Sequence, residues 1–250
     1  MKLKVLKKLF NFLSITICLT LMFSITVFAL PQNEPIIYDG VTFENEEAVE
    51  MYKELDEAQK STFKNNSDLI VLSISEKMET EIPNGNTSSR SVISPSILSG
   101  RISVSTNSQR TSYYISLYVD WKTGPAIFLK DKIAVSWAGN SALLSSRCYR
   151  RFSSDSSYAQ DSSMLLAEVG NNAFVSYELD GFASGYYLHV QISKASQSGL
   201  HNITGGYAHK TLGISGVTVG VDSTKALCFS ATIGTTFNTM SPVYTSSYLS

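Results

Sequence analysis

Two tyrosines near the middle of the chain have the spacing that best suits ligand binding. Tyr114 and Tyr118 lie four residues apart in a stretch where apolar and polar side chains alternate. In a strand, this spacing puts both rings on one face, about 13 Å apart. Exposed aromatic rings on a flat sheet stack against the apolar faces of sugars, while nearby Ser and Asp side chains bind hydroxyl groups. The alternative is that a second layer covers this face and makes both tyrosines part of the core.

A second candidate site is a basic cluster. Arg147, Arg150 and Arg151 lie within five residues of one another, with Lys130 and Lys132 nearby in the sequence. Such a cluster predicts binding to an anionic surface, such as a cell-wall polymer, lipid head groups or an acidic partner. The alternative is an ordinary solvated strand face.

The sequence contains no motif typical of catalysis, metal ligation or cofactor binding, so we predict no catalytic residue, metal site or cofactor. The three histidines lack an HExxH pattern, and no GxSxG surrounds any serine. Paired carboxylates could hydrolyse glycosides if they faced one cleft, and this alternative stays open. The acidic residues that could contribute are Asp120, Glu168, Glu178 and Asp180.

Cys148 and Cys228 are the cysteines that lie beyond the N-terminal apolar run. In an oxidising compartment two such cysteines can form a disulfide. The alternative is two buried thiols, and the sequence leaves both possibilities open.

The first 29 residues have the pattern of a secretory signal peptide. Four lysines precede an uncharged run from Leu9 to Ala29, which ends in Val27-Phe28-Ala29. A retained membrane anchor is the alternative, because the run is just long enough to span a bilayer. We expect cleavage, and hence a secreted mature protein with no membrane-spanning helix.

Charge divides the remaining chain into two parts. Residues 30–98 hold 13 acids against 5 bases, whereas residues 99–250 hold 8 acids against 11 bases. We therefore predict an acidic helix–strand segment (30–82), a flexible linker (83–98) and a β domain (99–250). The formal net charge of −1 argues against a nucleic-acid partner, which needs a clustered basic footprint.

Periodicity predicts the elements that must position these residues. Apolar residues recur at helical spacing from Glu46 to Lys64, and residues 68–74 form an apolar run of strand length. Residues 99–250 contain about eight alternating segments separated by Gly, Asn and Ser turns. This pattern predicts a mainly β protein, with an antiparallel β-sandwich or jelly roll over 99–250.

Two stretches carry a resemblance to known sequences: residues 113–121 through 131–137, and residues 205–211. Together they resemble uncharacterised secreted β-rich proteins of Gram-positive bacteria. The resemblance implies a bacterial exported protein and no particular activity.

Three function classes follow, in order of preference. The first is a secreted, non-enzymatic binding module that acts at or outside the bacterial cell surface, with glycan, cell-wall polymer or an anionic surface as its partner. The second is a membrane-active toxin or bacteriocin, which an exposed hydrophobic patch would favour. The third is a hydrolase, which a deep cleft with converging polar groups would favour. We further expect the acidic segment to cover a basic surface on the β domain.

Overall fold

The computed structural model places most of the chain that follows the predicted signal peptide. The described residues are 34–76, 90–124, 130–154, 156–160, 164–170, 173–181, 183–196, 198–212, 217–221, 227–231 and 236–249. The predicted signal peptide and residues 83–89 of the predicted linker lie outside them. From Pro35 onward the chain forms one compact unit.

The described elements are two short helices and seventeen strands. The helices are α1 (Glu46–Lys53) and α2 (Glu57–Lys64). The first nine strands are β1 (Ile36–Tyr38), β2 (Val41–Phe43), β3 (Leu69–Ser75), β4 (Arg90–Val92), β5 (Leu98–Asn107), β6 (Ser112–Trp121), β7 (Asp131–Trp137), β8 (Leu143–Arg151) and β9 (Ala159–Gln160). The other eight are β10 (Leu165–Gly170), β11 (Phe174–Leu179), β12 (Gly185–Ser193), β13 (Gly199–Leu212), β14 (Val217–Val221), β15 (Leu227–Ala231), β16 (Thr236–Thr239) and β17 (Val243–Leu249).

Two large sheets contain most of these strands. The first sheet has the order β1-β2-β3-β5-β6-β12-β8-β9, and the second has the order β10-β11-β7-β13-β16-β4, with β17 also paired to β13. Pairing is antiparallel except between β2 and β3 and between β16 and β4. One core cluster joins both sheets, with Leu117 and Leu188 from the first against Val135 and Ile203 from the second. The prediction of a mainly β fold is confirmed, and its architecture is a sandwich.

Alternation along β6 shows why the sheets pack in this way. Tyr113, Ile115, Leu117 and Val119 are fully buried between the sheets. The residues between them point to the opposite face of the first sheet, as the two-residue period of a strand requires. That outer face carries the polar and aromatic side chains from which the candidate site is built.

The helices α1 and α2 pack on this outer face. Asn45 caps α1 by accepting a hydrogen bond from the Ala48 amide (2.9 Å). Asp56 caps α2 in a capping box with Gln59, which satisfies amide groups that the first helical turn leaves unpaired. The buried side chains of Tyr52 and Phe63 then pack with Tyr118 of the sheet in a second core cluster.

The structure corrects the predicted division between residues 30–82 and the β domain. Strand β3 lies inside the first sheet and pairs with β5 from Leu69–Asn107 to Ser75–Ile102. The apolar run 69–74 needs burial and ladder partners, and the β domain provides both. The described part of the predicted linker is also structured, because β4 pairs with β16. The acidic charge belongs to surface helices and loops rather than to a separate domain.

Cys148 and Cys228, whose pairing the sequence left open, do not form a disulfide. Cys148 lies between the two large sheets. Cys228 lies on the β14–β15 hairpin, whose side chains pack against Ala134 and Ala208 on the outer face of the second sheet. The second sheet therefore separates the two sulfurs, which a linear pattern of alternation could not reveal.

No helix in the described part of the chain has the length and apolarity that crossing a membrane requires.

Candidate functional site

The candidate site is built around a row of three residues on adjacent strands. Gly185 begins β12 and lies opposite Asp120 of β6 on one side and Arg151 of β8 on the other. The two outer residues are thus two strand spacings apart, about 10 Å along the row. Because Gly185 has no side chain, they meet across it, and Arg151 Nη2 donates to Asp120 Oδ1 at 2.6 Å. A Cβ at position 185 would lie 2.5 Å from Asp120 Oδ1 and 2.7 Å from Arg151 Nε.

This ion pair also ties the first turn of α2 to the sheet. Arg151 Nη2 lies 2.8 Å from Asp56 Oδ2, while Asp56 Oδ1 accepts from the Gln59 amide at 2.8 Å. Gln59 Nε2 in turn donates to Asp120 Oδ2 at 2.8 Å, and Tyr158 donates to Asp120 Oδ1 at 3.2 Å. Three side chains therefore hold the Asp120 carboxylate in a fixed orientation.

Burial raises the pKa of Asp120, and the charge of Arg151 offsets only part of that effect. A raised carboxyl pKa is a property of many general acids. Here, however, Asp120 is held by donors from three directions, and Asp56 is committed to the helix cap and to Arg151. This arrangement suits a rigid polar wall, formed by Asp56, Gln59, Asp120 and Arg151, better than a group that exchanges a proton with a substrate.

The wall borders a cleft of about 580 Å³. It lies between the α1–α2 connection and the end of the first sheet. The residues that line it are Glu54, Asp56, Gln59, Glu76, Ser99, Arg101, Asp120, Trp121, Lys122, Gly124, Arg151, Ser154 and Ser184. Trp121 is the aromatic residue of this lining. It is half-buried, and strand alternation puts its indole on the face of β6 opposite to Asp120.

A buried polar network on the second sheet holds the Trp121 indole. Trp121 Nε1 donates to the Tyr207 hydroxyl at 3.3 Å, and the rings of Trp121 and His209 are in edge contact at 5.4 Å. Tyr207 donates to Asp131 Oδ2, and His209 Nδ1 lies 2.8 Å from Asp131 Oδ1. These contacts fix the plane of the ring, so its orientation requires no reorganisation on binding.

Opposite charges are nearly balanced along the lining of the cleft. Four acids and three bases contribute, and most of them contact one another. Arg101 pairs with Glu76 and also donates from Nη1 to the Glu54 carbonyl (3.2 Å) and to Gln59 Oε1 (3.1 Å). The lining therefore presents many donors and acceptors without a strong field of either sign.

The structure does not form the predicted pair of exposed tyrosines. Tyr118 is 2% exposed and stacks on Tyr187 with a ring-centre distance of 4.9 Å. It is part of the core because α2 covers it, which was the alternative interpretation of this face. Tyr114 is half-buried, stacks on His189 at 5.7 Å and accepts a hydrogen bond from Gln191.

The three arginines of the predicted basic cluster do not form one surface either. Arg147 is exposed, whereas Arg151 is 4% exposed and engaged with two carboxylates. Arg150 points to the other face of β8, where it donates to the Asp180 carbonyl at 3.1 Å. The alternation of a strand separates Arg150 from its neighbours, so a cluster in sequence is not a cluster in space.

Sequence reasoning missed the residues that shape the cleft. Trp121 entered only as the last residue of the stretch 113–121, and Gly185 and Arg101 were not considered. One signal was available in part: the acidic segment was expected to contact the β domain's arginines, and Asp56 does pair with Arg151. The role of Gly185 depends on the register of three strands, which the sequence does not state.

No protein-family model matches this sequence, and no curated protein matches it. Among solved structures, a collagen-binding domain from a Staphylococcus aureus adhesin is similar at 14% identity, covering 39% of this chain and 77% of that one, with a TM-score of 0.29. A serine-rich repeat adhesion glycoprotein from Streptococcus agalactiae is similar at 10% identity, covering 68% of this chain and half of that one, with a TM-score of 0.28. At these scores, neither similarity identifies a function.

Proposed function

We propose that this protein is a secreted, non-enzymatic carbohydrate-binding module that acts at or outside the bacterial cell surface. Its site is the cleft beside Trp121. The observation that carries the proposal is a fixed, charge-balanced set of polar groups in a cleft of about 580 Å³ that has Trp121 in its lining. An aromatic face and surrounding hydrogen-bonding groups match the apolar faces and hydroxyl groups of sugars.

The charge balance favours an uncharged glycan over an anionic polymer. An anionic ligand would need basic groups that are not already neutralised. Arg151 is paired with Asp56 and Asp120, and Arg101 is paired with Glu76. Lys122 is the remaining base of the lining, so it is the group that would meet a weakly acidic substituent.

Binding is favoured over hydrolysis by the way the carboxylates are held. Glycosidases need one carboxyl group to donate a proton and another to act as base or nucleophile. Asp120 is fixed by Arg151, Gln59 and Tyr158, and these contacts would have to break for it to reach a glycosidic oxygen. A sugar would therefore bind here without being cleaved.

A glycan panel tests the proposal directly. The purified protein is applied to immobilised neutral and anionic glycans and to solubilised cell-wall polysaccharides, and hits are measured by calorimetry. We expect binding to at least one neutral polysaccharide, with no new reducing ends released. Trp121→Leu, which keeps an apolar side chain beside Tyr207, should lose roughly two- to tenfold in affinity, since stacking contributes about 0.5–1.5 kcal/mol beyond burial.

Tyr114→Ala serves as the matched control, because it removes the aromatic ring of the other candidate surface. Loss of binding in Tyr114→Ala but not in Trp121→Leu would reject the cleft as the site. Release of reducing ends by the wild-type protein would reject the non-enzymatic assignment.

A further inference from the structure

Strand β17 differs from the other strands that end the two large sheets. Proteins protect such edges with short strands, charges, prolines or bulges, because an open edge pairs readily with another chain. Here β1, β4 and β9 have three, three and two residues, and β10 carries an irregularity between Leu166 and Glu168. Strand β17, of sequence VYTSSYL, has seven residues, no charge and no proline, and its pairing with β13 is regular.

The backbone of β17 presents a row of peptide groups away from β13. The Ala138 amide donates to the Asn202 carbonyl at 3.1 Å, so even-numbered residues of β13 point toward β7 and odd-numbered residues toward β17. The ladder pairs His201–Ser247 and Ile203–Thr245 are therefore the hydrogen-bonded ones. It follows that the peptide groups of Tyr244, Ser246 and Tyr248 face the open side. Within the described residues, β13 is the one strand that pairs with β17.

A groove of about 590 Å³ lies along this open side. Tyr244, Thr245 and Ser246 form one wall, while α1 and residues 72–76 form the other. A hydrogen bond from Thr245 Oγ1 to Ser73 Oγ, at 3.0 Å, joins the walls. The groove is thus bordered by an unpaired strand edge along part of its length.

Charge indicates the kind of chain that fits there. Glu47, Glu54 and Glu76 line the groove, and no basic side chain of the described residues does so. Arg101 pairs with Glu76 from the neighbouring cleft, while Glu47 and Glu54 are exposed. An incoming strand therefore meets a negative wall on the side away from β17.

We propose that β17 binds an extended peptide carrying Lys or Arg side chains, which adds as a further strand to the second sheet. The main-chain hydrogen bonds of Tyr244, Ser246 and Tyr248 provide affinity, as in other cases of strand addition. The glutamates select basic side chains on the peptide. Peptide binding here does not require the proposed carbohydrate cleft, although Glu54 and Glu76 line both sites.

The test uses a fluorescein-labelled heptapeptide of alternating threonine or valine and lysine, followed by fluorescence anisotropy with the purified protein. Two control peptides replace lysine with glutamate or carry N-methyl groups on alternate amides. We expect the lysine peptide to bind and both controls to fail. Binding should weaken as salt rises, because charge selects the ligand. Equal binding of the glutamate or N-methylated peptide would overturn the proposal.

Two variants of Ser246 locate the site. Ser246→Pro removes an amide that faces the open side and leaves the β13 ladder intact, so the peptide's affinity should fall about tenfold. Ser246→Ala removes only the side-chain hydroxyl, which donates to Asn202 Oδ1 at 2.8 Å, and should bind like the wild type. Trp121→Leu should also bind the peptide normally, which separates this site from the glycan cleft. Wild-type affinity in a folded Ser246→Pro protein, or occupation of the edge by a second copy as judged by sedimentation, would contradict the proposal.

Discussion

Arg151 Nη2 and Asp120 Oδ1 lie 2.6 Å apart although their strands are separated by β12. The contact exists because Gly185 stands between them and leaves the space above the middle strand empty. Through Asp56 the same guanidinium fixes the start of α2. One glycine thus allows the polar wall of the cleft to form.

The first prediction concerns that glycine. Gly185→Ala introduces a Cβ that would lie 2.5 Å from Asp120 Oδ1, so the ion pair must separate or the strands must shift. We expect a loss of about 1–3 kcal/mol in the free energy of unfolding, measured by urea denaturation. Gly220→Ala on β14 is the matched control, because a Cβ there meets nothing within 4 Å. Equal stability of the two variants would contradict the proposed role of Gly185.

A second prediction compares two carboxylates that share Arg151. Asp120→Asn leaves Arg151, which is 4% exposed, with one of its two carboxylate partners. We expect this change to cost about 3 kcal/mol of unfolding free energy. Asp56 is more exposed, and asparagine also caps helices well, so Asp56→Asn should cost less than about 1 kcal/mol. Thermal and urea denaturation at pH 7 measure both. A larger loss in Asp56→Asn would show that the helix cap, rather than the buried pair, dominates.

Acid stability should depend on His189. Burial, assisted by the nearby charge of Arg147, lowers the pKa of His189 from 6.5 to about 4. Because the unfolded state binds this proton more readily, the folded protein should lose stability as the pH falls from 6.5 to 4, by at most about 3 kcal/mol from this residue. Below pH 4 this contribution should not grow further. In His189→Gln, the slope of unfolding free energy against pH should be smaller across that window; an identical slope would reject the assignment.

The two cysteines should differ in reactivity. Burial raises the pKa of the Cys148 thiol, and the side chain lies between the sheets, so both ionisation and access are hindered. Cys228 is half-buried on the β14–β15 hairpin. N-ethylmaleimide should therefore label Cys228 well before Cys148 in the native protein, as followed by peptide mass spectrometry. A Cys148–Cys228 disulfide in unreduced digests would contradict the structure.

The sequence was sufficient to predict strands, but not to predict which strands and helices pack beside them. The alternation around Tyr114 and Tyr118 predicted a strand, and the helical spacing from Glu46 predicted the start of α1, because both signals are local. It could not reveal that β3 joins β5, or that α2 covers Tyr118, since these depend on contacts between distant segments. Charge was misleading for the same reason: the acidic residues lie on helices that pack onto the sheet, so composition changed without a domain boundary.

The site was predictable only in part. Asp120 was considered as one of several acids, but its significance comes from Arg151 and from the register of β6, β12 and β8. The predicted tyrosine pair rested on the assumption that the outer face of the sheet is open. Tyr244 and Tyr248 on β17 have the same four-residue spacing and are both exposed, yet their strand is distinguished from β6 only by its place at the edge of a sheet.

Binding of a glycan in the cleft beside Trp121 is tested most directly by the indole N–H signals. The protein has two tryptophans; Trp137 is buried and donates to the Ser141 carbonyl, so it serves as an internal control. In ¹H–¹⁵N spectra, with the signals assigned by Trp121→Phe, titration with the tightest-binding glycan of the panel should shift the Trp121 signal and leave that of Trp137 in place. Saturable binding with an unmoved Trp121 signal would contradict glycan binding in this cleft.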